Sequence, residues 1–254
     1  MPDSLKMFPE YLRQAGYYTT NNSKEDYNIN KSESVWHESS KKASWKNRDE
    51  NQPFFHVFNI GVSHESSMHF NAQDMDTIPT ETDLNSFKLQ PNHPNTALFK
   101  YTNALYRDKI REMDRKVGEI IQDLKEEGRL DDTFIFYYGD HGGVLPGSKG
   151  YLYETGLHVP MVVHIPKKYR HLVSNKVGST INGFVNFIDL GPTVLNLAGI
   201  DIPKEMDGTA FLGKDIDPKE LNSREETYSY ADRFDEKYDM VRAVRKGKYK
   251  YIRN

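Results

Sequence analysis

The sequence contains no cysteine. Disulfides, thiolate metal sites and cysteine nucleophiles are therefore excluded within these residues. There is no run of 18 apolar residues, so no segment is long enough to cross a bilayer as a helix. Basic residues are not in excess: 34 Lys and Arg stand against 37 Asp and Glu, a net charge of -3, which argues against a general nucleic-acid binder. The start, Met1-Pro2-Asp3-Ser4-Leu5-Lys6, lacks the apolar core of a signal peptide. Internal repeats and low-complexity tracts are also missing. What remains is a chain of 254 residues, 37% hydrophobic and 28% charged, enough for one large α/β domain or a domain with a smaller appendage. Aromatic residues make up 12%; they serve as stacking platforms for sugar rings or as core packing, and composition does not choose between the two.

Periodicity orders the chain. Leu5, Phe8, Leu12 and Ala15 recur at helical spacing, and Gly16 suits the helix end. Tyr17–Thr20 reads as a short strand. Residues 21–52 form a polar excursion anchored by Trp36 and Trp45. Phe54–Ile60 is an apolar run fit for a central strand, and residues 66–93 form a second polar insertion. The longest helical pattern runs from Ala97 to Glu127, with Leu105, Met113, Val117, Ile120, Ile121 and Leu124 on one face and Gly128 at its close. Strands follow at Thr133–Tyr138 and Pro160–Ile165, and a helix starts near Asp189 with Pro192 in its first turn. From about Asp201 the pattern loosens, and Val241–Ile252 suits a hairpin turning at Gly247. The alternation of strand and helix predicts an α/β sheet flanked by helices.

The chemistry concentrates after the Thr133–Tyr138 strand, predicted to be buried. There Gly139-Asp140-His141-Gly142-Gly143 sets an acid beside an imidazole on a glycine-rich loop, and Lys149-Gly150 follows. Ligands bind beyond the carboxyl ends of strands in α/β sheets. A carboxylate beside a second ligand suits a divalent cation, and a nearby lysine suits an anionic substrate. The plain alternative is a polar turn after a core strand.

These residues stand in an ordered series. Asp114, Gly118 and Leu124 precede Gly128-Arg129-Leu130-Asp131-Asp132-Thr133; then come Asp140-His141-Gly142, Lys149-Gly150, Glu154-Thr155-Gly156 and Val159-Pro160-Met161-Val162-Val163. Ile188-Asp189-Leu190-Gly191-Pro192-Thr193, Asp207-Gly208, Arg242-Ala243-Val244-Arg245 and Lys248-Tyr249-Lys250-Tyr251 lie downstream, and Gly16-Tyr17-Tyr18-Thr19-Thr20 with Lys24 lies upstream. Each motif is weak alone. In this order they resemble the type I sulfatases of the alkaline phosphatase superfamily over nearly the whole chain. The resemblance implies a mixed, mostly parallel central sheet flanked by helices, with a small C-terminal α+β portion. It divides the chain into residues 1–200, part of a catalytic α/β domain, and 201–254, the start of a C-terminal subdomain.

The resemblance also implies roles. Asp140 and His141 match the pair that ligates a divalent cation, with calcium the favoured ion, although the imidazole makes the metal less certain. A second-shell His141 is the alternative. Lys149 matches the lysine on sulfate and the leaving-group oxygen; its alternative is a solvated surface group. Lys24 matches the earlier lysine on nucleophile and sulfate, but Asp26 stands where relatives carry histidine. His64, in Gly61-Val62-Ser63-His64-Glu65, matches a sulfate-binding histidine that serves as an acid, with Ser63 in place of proline; His56 and His69 compete with it. Arg242 and Arg245 read as structural or distal contacts, and His158 as a residue bordering the cleft.

The family's nucleophile is a formylglycine made from Cys or Ser in Cys/Ser-x-Pro/Ala-x-Arg. No such motif occurs ahead of Lys24, where the family carries it; Ser44-Trp45-Lys46-Asn47-Arg48 fails at Lys46 and lies after Lys24, and Ser229-Tyr230-Ala231-Asp232-Arg233 fits the pattern but lies far downstream of Lys24. The paired N-terminal metal aspartates are also missing. The expectation is therefore a fragment of a sulfatase, inactive alone, acting on a sulfated small molecule or glycan and open to complementation by an N-terminal segment. Two lone ligands imply weak metal binding by the chain alone. A phosphatase or phosphodiesterase of the same superfamily, and a non-catalytic sulfated-glycan-binding module, are the alternatives. Family members are mostly periplasmic or secreted.

Overall fold

The computed structural model describes residues 5–234 and 236–254. In chain order its elements are α1 (Phe8–Gln14), β1 (Tyr18–Asn22), β2 (Glu38–Ser39), β3 (Phe54–Phe58), α2 (Asp74–Thr77), α3 (Ala97–Glu126), β4 (Ile135–Tyr138), α4 (Glu154–Leu157), β5 (Met161–His164), α5 (Leu190–Leu197), α6 (Pro218–Asn222), β6 (Glu226–Phe234), β7 (Lys237–Lys246) and β8 (Tyr249–Arg253). They form two compact units, each assembled from two stretches. The first holds residues up to Asn59 and Tyr169–Thr227; the second holds Ile60–Lys168 and Tyr228–Asn254. Residues 201–227 thus pack with the first unit and 228–254 with the second.

In the first unit β1 lies between β2 and β3, parallel to both, with Thr20 opposite Glu38 and His56. The apolar Phe54–Phe58 segment was expected at the centre. Instead the centre is polar: Thr19, Thr20 and Asn21 are buried to 1% exposure or less. They can be buried because they are satisfied. Thr19 Oγ1 donates to Val35 O at 3.1 Å, and Asn21 Nδ2 donates to Lys24 O and Ser39 Oγ, both at 3.0 Å. The first helix starts at Phe8, not Leu5, because the Met7 N–H is capped by Glu10 Oε2 at 2.8 Å and Pro9 occupies the first turn. Gly16 ends it at φ +91°. Leu12, Val35, Trp45, Leu195, Phe211 and Leu221 form the apolar core of this unit.

One titratable ring there is held largely out of water. His56 packs edge-on to Trp45 and Phe58, with Nδ1 2.6 Å from Thr20 Oγ1 and Nε2 buried without a partner. Burial lowers its pKa from 6.5 to about 4, opposed in part by Glu38. Above pH 6.5 both folded and unfolded rings are neutral. As pH falls from 6.5 to 4 the unfolded chain takes up a proton that the folded ring refuses, so stability is lost across that window and levels off below it. We expect a loss of about 3 kcal/mol from this group. Urea midpoints measured from pH 7 to 4 should fall less steeply in His56→Phe than in the parent; equal slopes would refute the assignment.

The second unit is organised on α3. Thr96 Oγ1 caps its start by accepting from Phe99 N–H at 3.3 Å, and Gly128 at φ +65° closes it. The helix spans nearly the predicted range. β4 runs antiparallel to β5, with Tyr138 opposite Met161, and β6, β7 and β8 form a three-stranded sheet, so the strands among the described residues fall into three sheets. The α/β character is as predicted. β4, however, is half-buried along its length rather than buried, since only one strand flanks it and its connection to β5 carries no long covering helix. The predicted hairpin is β7–β8, pairing Lys246 with Tyr249 around Gly247 at φ +52°. Part of the aromatic content lies at the surface here: Tyr228, Tyr230, Tyr249 and Tyr251 are 65% exposed or more.

Candidate active site

Asp140 and His141 leave the end of β4 directly. Asp140 Oδ1 accepts the His141 N–H at 3.1 Å. His141 Nδ1 lies 2.7 Å from the Gly142 carbonyl, which can only accept, so Nδ1 carries the proton and Nε2 keeps its lone pair. That nitrogen stands 3.8 Å from Asp140 Oδ2. Divalent cations sit about 2.0–2.6 Å from nitrogen and oxygen ligands, so two donor atoms at this separation can share one ion. The pair fits a cation as part of a cage. Among the described residues no group of three or more His, Cys, Asp or Glu is arranged to hold a metal.

The loop around the pair is shaped by a close approach. Gly142 N–H donates to Gly156 O at 2.8 Å, and a side-chain carbon on Gly142 would lie 1.9 Å from the Thr155 carbonyl oxygen. Backbone would have to move. Gly142→Ala should therefore cost roughly 1–3 kcal/mol or more in urea unfolding and displace the loop; an unchanged midpoint would show that the two strands of this loop are not packed as described.

Lys149 follows on the same loop cluster. Its N–H donates to Gly143 O at 3.0 Å, which ties it to the Asp140–His141 segment. Gly147 at φ +81° and Gly150 at φ +88° bracket the turn, conformations that favour glycine. Thr155 Oγ1 donates to Gly147 O at 2.6 Å, and His93 Nε2 donates to Pro146 O at 3.0 Å. Behind the loop, Arg245 and Lys250 both contact the Glu154 carboxylate, and Lys250 also donates to Leu152 O at 3.0 Å. Arg245 is thus an internal structural contact. His158 Nδ1 lies 3.9 Å from Glu154.

His64 follows a 3-10 turn, Gly61–Ser63, beyond β3. Its Nδ1 accepts the Ser66 N–H at 3.3 Å and faces Ser66 Oγ at 3.0 Å, which leaves Nε2 as the protonated nitrogen. The two histidines thus take opposite tautomers: His141 offers a lone pair and His64 a donor. Glu65, next in sequence, accepts from Lys149 Nζ at 2.8 Å and brings the His64 turn to the lysine loop. Both approaches dock on α3, where Met113 Sδ accepts from Ser63 Oγ at 3.6 Å and from Tyr137 Oη at 3.7 Å. His64, Asp140, His141 and Lys149 therefore share one cluster of loops in the second unit. Lys24 belongs to the first unit, where its carbonyl is held by Asn21 and its Nζ lies 3.7 Å from Asp26 Oδ2. His56 is a packed core residue, not a competitor for His64.

The sulfatase family model matches residues 2–200. The chain belongs to the sulfatase family. An ulvan-active sulfatase of Formosa agariphila is 36% identical over 287 residues, covering 100% of this chain and 46% of that relative. An N-acetylglucosamine-6-O-sulfatase of Bacteroides thetaiotaomicron is 28% identical over 42% of this chain and 19% of its own length. The sulfatase chain thus spans about half, or less, of the curated relatives it matches. Among solved structures, a protein in complex with its substrate D-glucosamine-2-N,6-O-disulfate superposes at a TM-score of 0.67, with 16% identity over 99% of this chain and 73% of that one. A phosphonate monoester hydrolase from Silicibacter pomeroyi superposes at 0.65, with 17% identity over 98% and 72%. At such identities these two speak for the fold alone.

Sequence reasoning missed Glu65 as the partner of Lys149 and Glu154 as the hub behind the loop. Both lie inside motifs of this sulfatase chain. Their partners are 84 and 91 residues away, so only the fold reveals them.

Proposed function

We propose that this chain carries sulfate-contacting and metal-ligating residues of a sulfatase that hydrolyses sulfate esters of a carbohydrate. The observation that carries the reading is the Lys149 loop. Its backbone is bonded to the Asp140–His141 segment, and its ammonium is bonded to the residue beside His64. Support for the carbohydrate comes from the ulvan-active and N-acetylglucosamine-6-O-sulfatase relatives.

In this reading Asp140 and the Nε2 lone pair of His141 hold a divalent cation, calcium by family resemblance. When bound, such an ion would supply positive charge to the sulfate. Lys149 contacts a sulfate oxygen and the leaving oxygen, where negative charge grows as the S–O bond breaks. His64, with Nδ1 already accepting the Ser66 N–H, presents Nε2–H to the leaving group as a hydrogen-bond donor. Lys24 has its sulfate role from the family resemblance alone; within the first unit its Nζ lies 3.7 Å from Asp26 Oδ2. Asp26, close to its ammonium, replaces the histidine that relatives direct at the nucleophile, so that interaction is not on offer. Formylglycine is the nucleophile of the family, and no motif for it stands ahead of Lys24 in these residues.

Titration of the isotope-labelled chain with a sulfated oligosaccharide and its desulfated counterpart, in calcium, tests the reading. The sulfated sugar alone should perturb the NMR signals of Lys149, His64 and His141. Equal response to both sugars, or perturbation confined to other loops, would refute it. A stronger response to a phosphorylated sugar would favour the phosphatase alternative.

A further inference from the structure

The ammonium of Lys149 does not stand open. It donates to Glu65 Oε2 at 2.8 Å, within the short range of charge-assisted bonds. Each partner is fixed from its own side. The Lys149 N–H is bonded to Gly143 O, and Glu65 opens the 3-10 turn Glu65–Met68, which the His64 imidazole caps. The side chains are 33% and 52% exposed. Ion pairs this open add little to stability. The chemical consequence is larger: the cation assigned above to a substrate's sulfate already carries a carboxylate.

We propose that Glu65 is an internal counter-ion that a sulfate group has to displace from Lys149. The inference rests on the assignment of Lys149 to sulfate. Glu65 holds two anionic oxygens where an oxyanion would otherwise approach. Lys149, by hydrogen bond and charge, holds the Glu65 carboxyl below its ordinary range, with His64 and His69 adding to the effect, so the competing charge is present at neutral pH. Its effect falls on every anion at this lysine. It weakens binding of substrate, and it equally weakens the hold on the free sulfate that hydrolysis leaves behind.

The sign of the effect separates this role from simple positioning. A residue that only orients Lys149 would lower sulfate affinity when removed; a displaced counter-ion raises it. The test uses the 254-residue chain, inorganic sulfate as the probe and chloride to hold ionic strength constant, with NMR shifts as the readout. Glu65→Gln keeps the side-chain size and should bind sulfate about two- to fivefold more tightly, the range an exposed ion pair allows. In a Lys149→Ala background the same substitution should give no gain. Unchanged or weaker binding in Glu65→Gln, or no sulfate binding in either protein, would overturn the inference. If Lys149→Ala leaves the parent's sulfate affinity unchanged, the assignment of Lys149 fails first. If Lys149→Ala weakens binding while Glu65→Gln does not strengthen it, the inference alone fails.

Discussion

The purified 254-residue chain is expected to show no sustained hydrolysis of an aryl sulfate, with or without calcium. The sequence has no cysteine, and its one Ser-x-Ala-x-Arg, Ser229-Tyr230-Ala231-Asp232-Arg233, lies far downstream of Lys24, whereas the family's nucleophile precedes that lysine. Positioned charges and donors can still accelerate a reaction over water. In a serine protease stripped of its catalytic triad that residue of catalysis is about 10³–10⁴-fold, while the loss from removing the nucleophile is about 10⁶-fold. A comparable gap is expected between this chain and a fusion that joins it to the nucleophile-bearing segment of the ulvan-active sulfatase relative. Continuous turnover by tag-free chain, free of contaminating sulfatase, would overturn the expectation. It would also show that another group here attacks sulfur.

How much of this was legible in the sequence depended on the kind of signal. The long helix was legible because its apolar residues repeat at helical spacing and Thr96 and Gly128 supply chemically specific ends. The β7–β8 hairpin was legible for the same reason: alternation interrupted by one glycine. The central strand of the first unit was not. Thr19, Thr20 and Asn21 are polar and fully buried, and hydropathy cannot distinguish a satisfied buried threonine from an exposed one. Two of the hydrogen bonds that satisfy them come from Val35 and Ser39, 16 and 18 residues away and beyond the window of a local pattern. The half-buried state of β4 was hidden too, because an apolar run specifies a strand but not the number of its neighbours.

The site divides in the same way. Asp140, His141 and Lys149 announced themselves by residue type and by glycines at fixed offsets. His64 needed the ordered series of motifs to separate it from His56 and His69. The structure adds what no motif contains: the opposite tautomers of the two histidines, set by a carbonyl on one and an amide N–H on the other. It also adds the carboxylate on Lys149. Charge pairing between loops 84 residues apart leaves no local trace.

In the nucleophile-bearing fusion, Lys149→Ala should lower kcat by roughly a hundredfold to a thousandfold while changing KM far less. The argument rests on when the interaction forms. An ammonium facing the leaving oxygen meets little charge in the bound ester and a developing full charge as the S–O bond breaks. Interactions that strengthen in the transition state appear in kcat, whereas those equal in both states appear in KM. Removing one preorganised donor of this kind typically costs about 3 kcal/mol. Its present partner sharpens the contrast. Glu65 already neutralises Lys149 before substrate arrives, so the lysine's net contribution to ground-state binding is blunted, while the growing charge on the leaving oxygen still gains it in full. Lys149→Arg should restore only part of the rate, because a planar fork places its donors differently from a compact ammonium on a backbone pinned by the Gly143 carbonyl and the Gly147–Gly150 turn. If Lys149→Ala instead kept kcat within about twofold while Asp140→Ala abolished activity, the metal assignment would stand and the lysine would be only a surface partner of Glu65.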